Sequence, residues 1–503
     1  MNNLQMDTAL TKNFPAERWF YLFVLIHLLC WTLVPALVRY NLPLDSIEGT
    51  IWGHQLEWGY DKNPFMNGWL TALAVSLDGQ SGWMIYLFSQ LSVVICFWVV
   101  WQLAKSMLSP TYALISVMVL EGIQYFNFHA IDFNDNTLEL GLWALTIYFF
   151  YKALRSSHHY IAWICVGLFA GLAMMAKYYT AALLAAMVLF LFIPAENRKQ
   201  LTTLPPYFGL ITFLIVILPH TIWLFFHDFI TVMYVFDRAS SPPSWTNHFF
   251  FPAQFSWQQA QVFLPALVLF TILLIGKKPA FAIHKIKLAS FDKEFLFYIG
   301  LGPFLLTVLL SFFSGIKLRA GWGMPLLSLW GIILIATIQP YFTKAKLYRF
   351  FTFTYVLIAA CLIAYSVSLI DSPDPSSANF PGREIAQTIN KNWREKYHTN
   401  LSYVAGSRWV GGNISFYSND RPAVFIEWNR KRAPWINLKD MEQKGAVFVW
   451  GITDNETLPK EIQEKYPTLT QPEVIEFSYR RNHYNLAPIK IGIAYLPPKG
   501  SSS

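Results

Sequence analysis

Asp45 and Glu48 stand three residues apart in Asn41-Leu42-Pro43-Leu44-Asp45-Ser46-Ile47-Glu48-Gly49. A carboxylate so placed can take a proton from an acceptor hydroxyl. The stretch begins as extended chain and turns into a helix start, with Asp45 at an N-cap position and Glu48 three residues on. The competing reading is a capping carboxylate beside a solvated glutamate. Trp58-Gly59-Tyr60-Asp61-Lys62-Asn63-Pro64 and Phe65-Met66-Asn67-Gly68-Trp69-Leu70 follow. An aromatic, charged, Pro/Gly-punctuated loop suits a sugar or lipid headgroup, with Tyr60 and Lys62 as candidate contacts. The alternative for its rings is interfacial anchoring.

Three further segments concentrate polar chemistry. Phe126-Asn127-Phe128-His129-Ala130-Ile131-Asp132-Phe133-Asn134-Asp135 brings a histidine and two carboxylates to one helix–loop boundary. His129, Asp132 and Asp135 could ligate a divalent ion, although their spacing fits no specific template, and Asp135 could instead cap the next helix. Lys177 lies in the short connection between two apolar runs, where a lysine either contacts an anion or snorkels. Lys317 and Arg319, in Gly315-Ile316-Lys317-Leu318-Arg319-Ala320-Gly321-Trp322, suit an anionic phosphate, Arg as a bidentate fork and Lys as a point charge. Arg238 could join them.

The elements that must hold these groups are membrane helices. Of 503 residues, 54% are apolar and 14% charged, far below the roughly one-quarter charged of soluble domains. Apolar runs of about 16–24 residues alternate with short charged loops, the length that crosses a bilayer core of ~30 Å. We read about eleven spans: 17–36, 82–104, 111–128, 136–153, 159–176, 178–194, 206–226, 259–276, 294–313, 322–338 and 350–370. The first is expected to be a retained helix rather than a cleaved signal. Basic loops at Lys152–Arg155, Arg198–Lys199, Lys277–Lys293 and Lys344–Arg349 all fall on one side if the N-terminus is cytoplasmic. The opposite side then receives the long first loop (37–81), the Asn127–Asp135 loop, most of the acidic residues and everything after Asp371. Glu121 is the acidic residue read as lying well inside a span, as an interhelical hydrogen-bond partner.

Residues 1–371 form the membrane part and 372–503 a soluble α/β domain on the outer side. Ser372-Pro373-Asp374-Pro375-Ser376-Ser377 marks the boundary. Beyond it Ile385, Ile389 and Trp393 share one helix face, and β-rich runs occur at Leu401–Ala405, Ala423–Trp428, Ala446–Gly451 and Ile491–Tyr495. This module is expected to roof the cavity and to select the acceptor, with Arg383, Arg408 and Trp409 as candidate contacts. The net charge of +8 predicts no nucleic-acid partner, because the basic residues sit in inter-helix loops rather than in a stripe. Cys30, Cys96, Cys165 and Cys361 all lie in apolar runs and read as buried small hydrophobes.

In order along the chain, several short motifs resemble the GT-C glycosyltransferases of the protein O-mannosyltransferase superfamily. The bacterial branch with the lipid A aminoarabinose transferase and the rhizobial galacturonosyltransferases is the nearer likeness. The matching pieces are Asp45-x-x-Glu48, Gly59-Tyr60-x-x-x-Pro64, Asp135, Gly171…Lys177-Tyr178, Pro219-His220-x-x-Trp223 and Lys317…Trp322-x-x-Pro325. In the soluble part they are Pro381-Gly382-Arg383-Glu384 and Ala405-Gly406-Ser407-Arg408-Trp409. The aminoarabinose branch carries Asp-Glu where this chain has Asp45-Ser46.

The resemblance implies an inverting transferase in a bacterial inner membrane. Its active site would face the periplasm and move a sugar from a polyprenyl-phosphate donor to lipid A, lipopolysaccharide or another envelope glycan. It implies Asp45 as the base, with Glu48 beside it as a second catalytic candidate. Lys177, Lys317, Arg319 and Arg238 would hold the donor phosphate, and Asp135, Tyr178 and Trp322 would contact substrate. No cofactor is required, beyond a divalent ion if the histidine–carboxylate set holds one. Membrane lipids, the lipid-linked sugar and the lipid or glycan acceptor are the partners. No Rossmann or P-loop glycine fingerprint calls for a nucleotide. The alternatives are a protein O-glycosyltransferase and, from another class, a transporter or lipid flippase with ionisable groups at mid-membrane.

Overall fold

The computed structural model describes residues 14–155, 159–276, 281, 287–452 and 460–500. Long apolar segments form helices because only a helix satisfies its own backbone groups away from water. They are α1 (Ala16–Val38), then α2 (Leu44–Gln55) and α3 (Met66–Asp78) within the first loop, α4 (Trp83–Met107), α5 (Pro110–Met118), α6 (Asp135–Leu154) and α7 (Tyr160–Ala176). Next come α8 (Ala181–Phe192), α9 (Pro205–Phe226), α10 (Ile230–Ala239), α11 (Asn247–Thr271), α12 (Ser290–Ser314), α13 (Trp330–Ile338) and α14 (Lys344–Ile370).

By length and apolarity, five of the described helices could each cross a bilayer, or eight if every bent pair counts as one span. Eleven spans were expected. The difference has local causes. The third segment turns by 87° between Pro110–Gly122 and Gln124–Ile131, the sixth by 95° after Phe192, and the tenth by 55° between Ala320–Leu327 and Trp330–Ile338. The fifth, α7, is apolar but has 17 residues. The fourth, α6, carries Asp135, Glu139 and Lys152, and the eighth begins at Asn247 rather than 259 with polar residues in its first turns, so neither is apolar enough to count.

One end of the bundle gathers the basic loops. Arg349 donates to the carbonyls of Ile272 and Ile275 at 2.8 and 2.6 Å, and Arg155 lies 3.8 Å from Asp292. Most of the Lys277–Lys293 loop falls outside the described residues. At the other end, α2 lies against the α/β module, and Gln80, just after α3, bonds to Ser418 and Arg383 of it.

The module holds α15 (Gly382–Tyr397), β1 (Tyr403–Gly406), α16 (Arg408–Tyr417), β2 (Ala423–Ile426), α17 (Leu438–Lys444), β3 (Ala446–Gly451), α18 (Lys460–Lys465), β4 (Glu473–Phe477) and β5 (Ile489–Leu496). The sheet order is β2-β1-β3-β5-β4. Strands β2 and β3 flank β1 in parallel, with Tyr403 opposite Ala423 and Val404 opposite Val447; β5 pairs antiparallel with β3 and β4. The strand missed from sequence is β4. It is an edge strand, and Glu473, Val474 and Glu476 are exposed, so it carries little of the apolar signal of a buried strand. Ile385, Ile389 and Trp393 are buried on α15 as their spacing predicts.

Candidate active site

A cavity of about 760 Å³ opens between the first loop and helices α8, α10 and α12. One wall is acidic. Asp45 and Glu48 reach it from α2, one helical turn apart, and Asp135 reaches it from the start of α6.

The cap of α2 is not Asp45. Helix α2 starts at Leu44, and the backbone N–H groups of Asp45 and Ser46 donate to Asp132 at 3.2 and 2.9 Å. Asp132 therefore satisfies first-turn donors from 87 residues away, and the Asp45 side chain is released to the cavity. Ser46 completes the joint: its hydroxyl donates to Asp132 at 2.8 Å and accepts from the Phe133 N–H at 3.1 Å. Asn134 donates to Asp45 at 2.9 Å and also caps α6 through Thr137, so Asp135 is not that helix's cap. Burial, followed by the nearby charges of Asp135 and Glu48, holds the Asp45 carboxyl above the usual carboxylate range.

The metal set does not assemble. Asp132 is occupied by α2, while His129 is exposed and lies 3.2 Å from the Gln124 carbonyl. Among the described residues no group of three or more His, Cys, Asp or Glu is placed to hold a metal ion.

Lys177 sits at the acidic wall, 2.6 Å from Asp135 and 2.5 Å from the side-chain amide oxygen of Asn136. Lys62 lies 2.7 Å from Glu48. Each of these lysines has its charge answered by a carboxylate. Across the cavity, Arg238 and Arg319 are lining cations with no ion-pair partner among the described residues. A backbone bond of 3.1 Å from Lys317 to Ala239 holds their two segments together, and Ala320 accepts from Tyr125 and Gln259 at 2.6 and 3.1 Å. Lys317 itself is not a lining residue, which corrects its placement beside the others. Between the walls runs an apolar groove formed by Ala181, Ala182 and Ala185 of α8 and Leu306, Leu309, Leu310 and Phe313 of α12. Trp322 lines the cavity against Tyr179, ring centroids 5.8 Å apart.

Tyr60 is a second correction. It is fully buried, stacks on Trp52, meets Trp435 of the module edge-on, and donates to the Trp52 carbonyl at 2.8 Å. It holds the loop rather than reaching the cavity. The Pro219-His220-x-x-Trp223 motif has the same kind of task. A Cβ on Gly59 would lie 2.6–2.8 Å from Trp223 and His220, so only glycine lets the loop settle on α9. His220 donates through Nδ1 to the Trp58 carbonyl at 2.7 Å, which leaves Nε2 to accept from Tyr178. Tyr178 also lines the cavity.

Sequence reasoning missed two features. Glu139 is fully buried in α6 and accepts from Thr180 at 2.9 Å, so Glu121 is not alone inside the bundle. Its signal was present, as an acid within an apolar run. Glu121 is bonded as expected, to His27 at 2.7 Å and Trp31 at 3.1 Å. The second feature is Arg408. Instead of facing an acceptor, it is paired with Glu48 and Asp61 of the first loop and lies 3.5 Å from Glu427. Trp409 packs against Phe380, centroids 5.0 Å apart. Arg383 stacks on Tyr417 at 4.9 Å and donates to the Gln80 carbonyl at 3.2 Å.

The helical bundle, with its charged cavity beneath a docked α/β module, has counterparts among known proteins, in sequence over part of the chain and in fold over nearly all of it. The family model for dolichyl-phosphate-mannose-protein mannosyltransferase matches residues 62–223. ArnT from Cupriavidus metallidurans bound to undecaprenyl phosphate superposes with a TM-score of 0.61 at 14% identity, covering 94% of this chain and 98% of that one. Its apo form superposes with a TM-score of 0.62 at 13% identity, covering 95% and 98%. No curated protein sequence matches significantly. The chain thus has a GT-C fold resembling that of the lipid A aminoarabinose transferase.

Proposed function

We propose that this protein is an inverting membrane glycosyltransferase that uses a polyprenyl-phosphate-linked sugar. What carries this reading is one cavity that joins two arginines with no ion-pair partner among the described residues, an apolar groove and the part-buried carboxylate of Asp45. Arg238 and Arg319 would bind the phosphate, a charge that neither lysine is free to meet. The groove between α8 and α12 would take the polyprenyl chain. Asp45 would take the acceptor proton, for which a raised pKa suits it. The acceptor oxygen then bonds to the anomeric carbon from the face opposite the phosphate, and the C–O bond to phosphate breaks. The electron pair leaves with the phosphate, where the arginines stabilise it. A single direct displacement inverts the anomeric centre. Lys317, outside the cavity lining, would assist only through the long-range field.

With the N-terminus inside, the basic loops lie in the cytoplasm and the cavity opens to the periplasm of a bacterial inner membrane. Lipid A, lipopolysaccharide or another envelope glycan would then be the acceptor. The ArnT relative is described as bound to undecaprenyl phosphate, which supports the donor class. A transporter would place free ionisable groups at mid-bundle; here His27, Glu121, Gln90 and Trp31 bond to one another. The test is binding of undecaprenyl phosphate to the purified protein, with mass spectrometry of envelope lipids and glycans from cells carrying active or Asp45→Asn protein. Binding that depends on Arg319, together with a glycan modification lost in Asp45→Asn, is the expected result. No binding and no glycan difference would reject the reading.

A further inference from the structure

Arg408 belongs to the soluble module, yet its charge is used in the first loop of the membrane part. Ser407 caps α16 by accepting from the Val410 N–H at 3.1 Å, which puts Arg408 at the first helical position. Four residues on, on the same face, Gly412 sits so close to α2 that a Cβ would lie 2.6 Å from Ile47 and 3.0 Å from Ile51. This close approach fixes the height of α16 over α2. The guanidinium then forms an ion pair with Glu48 on its Nε side and donates a hydrogen bond to Asp61 through Nη2. All three side chains are nearly buried, at 12%, 7% and 5% exposure. Lys62, 24% exposed, lies on Glu48, and the Glu427–Arg432 pair flanks Arg408, so three carboxylates and three cations balance around the buried contact.

We propose that Arg408 is a positioning residue: through it the docked module holds Glu48 and Asp61, and with them the helix that presents Asp45 to the cavity. The inference rests on the function proposed above. The catalytic unit then spans both parts of the chain, and the module is more than a roof. A lysine could supply the charge but not the two-sided contact, because only the broad planar guanidinium can lie against Glu48 while donating to Asp61. Glu48 faces Lys62 and Asp61 from the loop, Arg408 from the module and Asp45 one turn earlier on its own helix. Burial raises its pKa, and Lys62 and Arg408 oppose that rise. Loss of Arg408 therefore raises it further, so protonation of Glu48 begins at higher pH.

The experiment compares full-length Arg408→Gln and Arg408→Lys with the unmodified protein by three readouts. These are hydrogen exchange across residues 44–64 and across β1 and β3, binding of undecaprenyl phosphate, and the pH profile of envelope-glycan modification. In Arg408→Gln, exchange at 44–64 should rise about tenfold or more, the scale of losing a buried charge pair. Exchange in β1 and β3 should stay the same, undecaprenyl phosphate binding should stay within about twofold, and the acidic limb should move to higher pH. Arg408→Lys should restore the limb but not the protection. Unchanged protection and an unchanged limb in both variants would overturn the proposal. So would rapid exchange throughout the module, which would make Arg408 a plain stabiliser of its own domain. Absence of undecaprenyl phosphate binding in the unmodified protein would count against the donor assignment, not against the Arg408 coupling.

Discussion

The two walls of the cavity hold charges in opposite states of compensation. On the acidic wall, Lys177 lies on Asp135, Lys62 on Glu48, and Asn134 on Asp45. On the basic wall, Arg238 and Arg319 have no carboxylate partner among the described residues. A paired group near a low-dielectric region is already satisfied, whereas an unpaired cation there keeps a standing attraction for an anion. The difference teaches which cations to assign to a ligand. From sequence alone, Lys177 and Lys317 look as suitable as Arg319; the pairing of Lys177 and the place of Lys317 outside the cavity lining argue for Arg319 instead.

Asp45→Asn should have the largest effect on this contrast. It keeps the Asn134 contact in size and removes the proton acceptor. Transfer should fall roughly 10²–10⁴-fold, the usual cost of a lost general base, as read by the yield of modified envelope glycan. Near-normal yield from a folded variant would move the base elsewhere on the acidic wall.

Arg319→Gln comes next, because it touches the uncompensated wall. Undecaprenyl phosphate binding should weaken by about 1.5–3 kcal/mol, or roughly 10–150-fold, the range of a charge-assisted hydrogen bond. Titration of the purified protein measures it.

The same Asp45→Asn variant should gain stability at neutral pH. Asp45 has a folded-state pKa above its unfolded value because of burial, Asp135 and Glu48. The folded state therefore binds the extra proton between those two values, and stability falls as pH rises through that window. Above it the full penalty is present. Asparagine removes both the penalty and its pH dependence, a small upward shift that thermal unfolding at pH 4 and pH 7 would detect. Activity and stability should thus move in opposite directions at one residue, as expected where a group is held for chemistry rather than for the fold.

Lys317→Gln should do least. Because Lys317 does not line the cavity, its removal should change undecaprenyl phosphate binding by no more than about twofold, the usual scale of a surface charge. A loss as large as that of Arg319→Gln would show that the basic wall extends beyond the cavity described.

Much of the architecture is legible in the residue pattern. Apolar runs in this chain become helices, and the module's first helix, α15, and four of its five strands follow from periodicity. The broken segments were not legible, because a turn of 87° after Gly122 leaves the composition of the run unchanged. Gly59, Tyr60, His220 and Trp223 stand out as motifs, yet only their packing shows that they clamp the loop. Asp132 looked like a ligand because chemistry was read from residue type, and a helix cap supplied from a distant loop has no local signature.

What the sequence by itself determined is which residues share an element: Asp45 with Glu48 on one helix, Ala181, Ala182 and Ala185 on another, and Arg408 with Gly412 on a third. Those relations depend on separations of a few residues, which helical geometry converts directly into faces. Tertiary structure alone decided which charges meet. Arg408 finds Asp61 across 347 residues and Lys177 finds its acidic partner at the start of α6, while Arg238 and Arg319 find none among the described residues. Coulomb attraction acts on distance in space, and at such separations distance is set by how the helices and the module dock, through contacts such as Gly412 on Ile47 and Gly59 on Trp223.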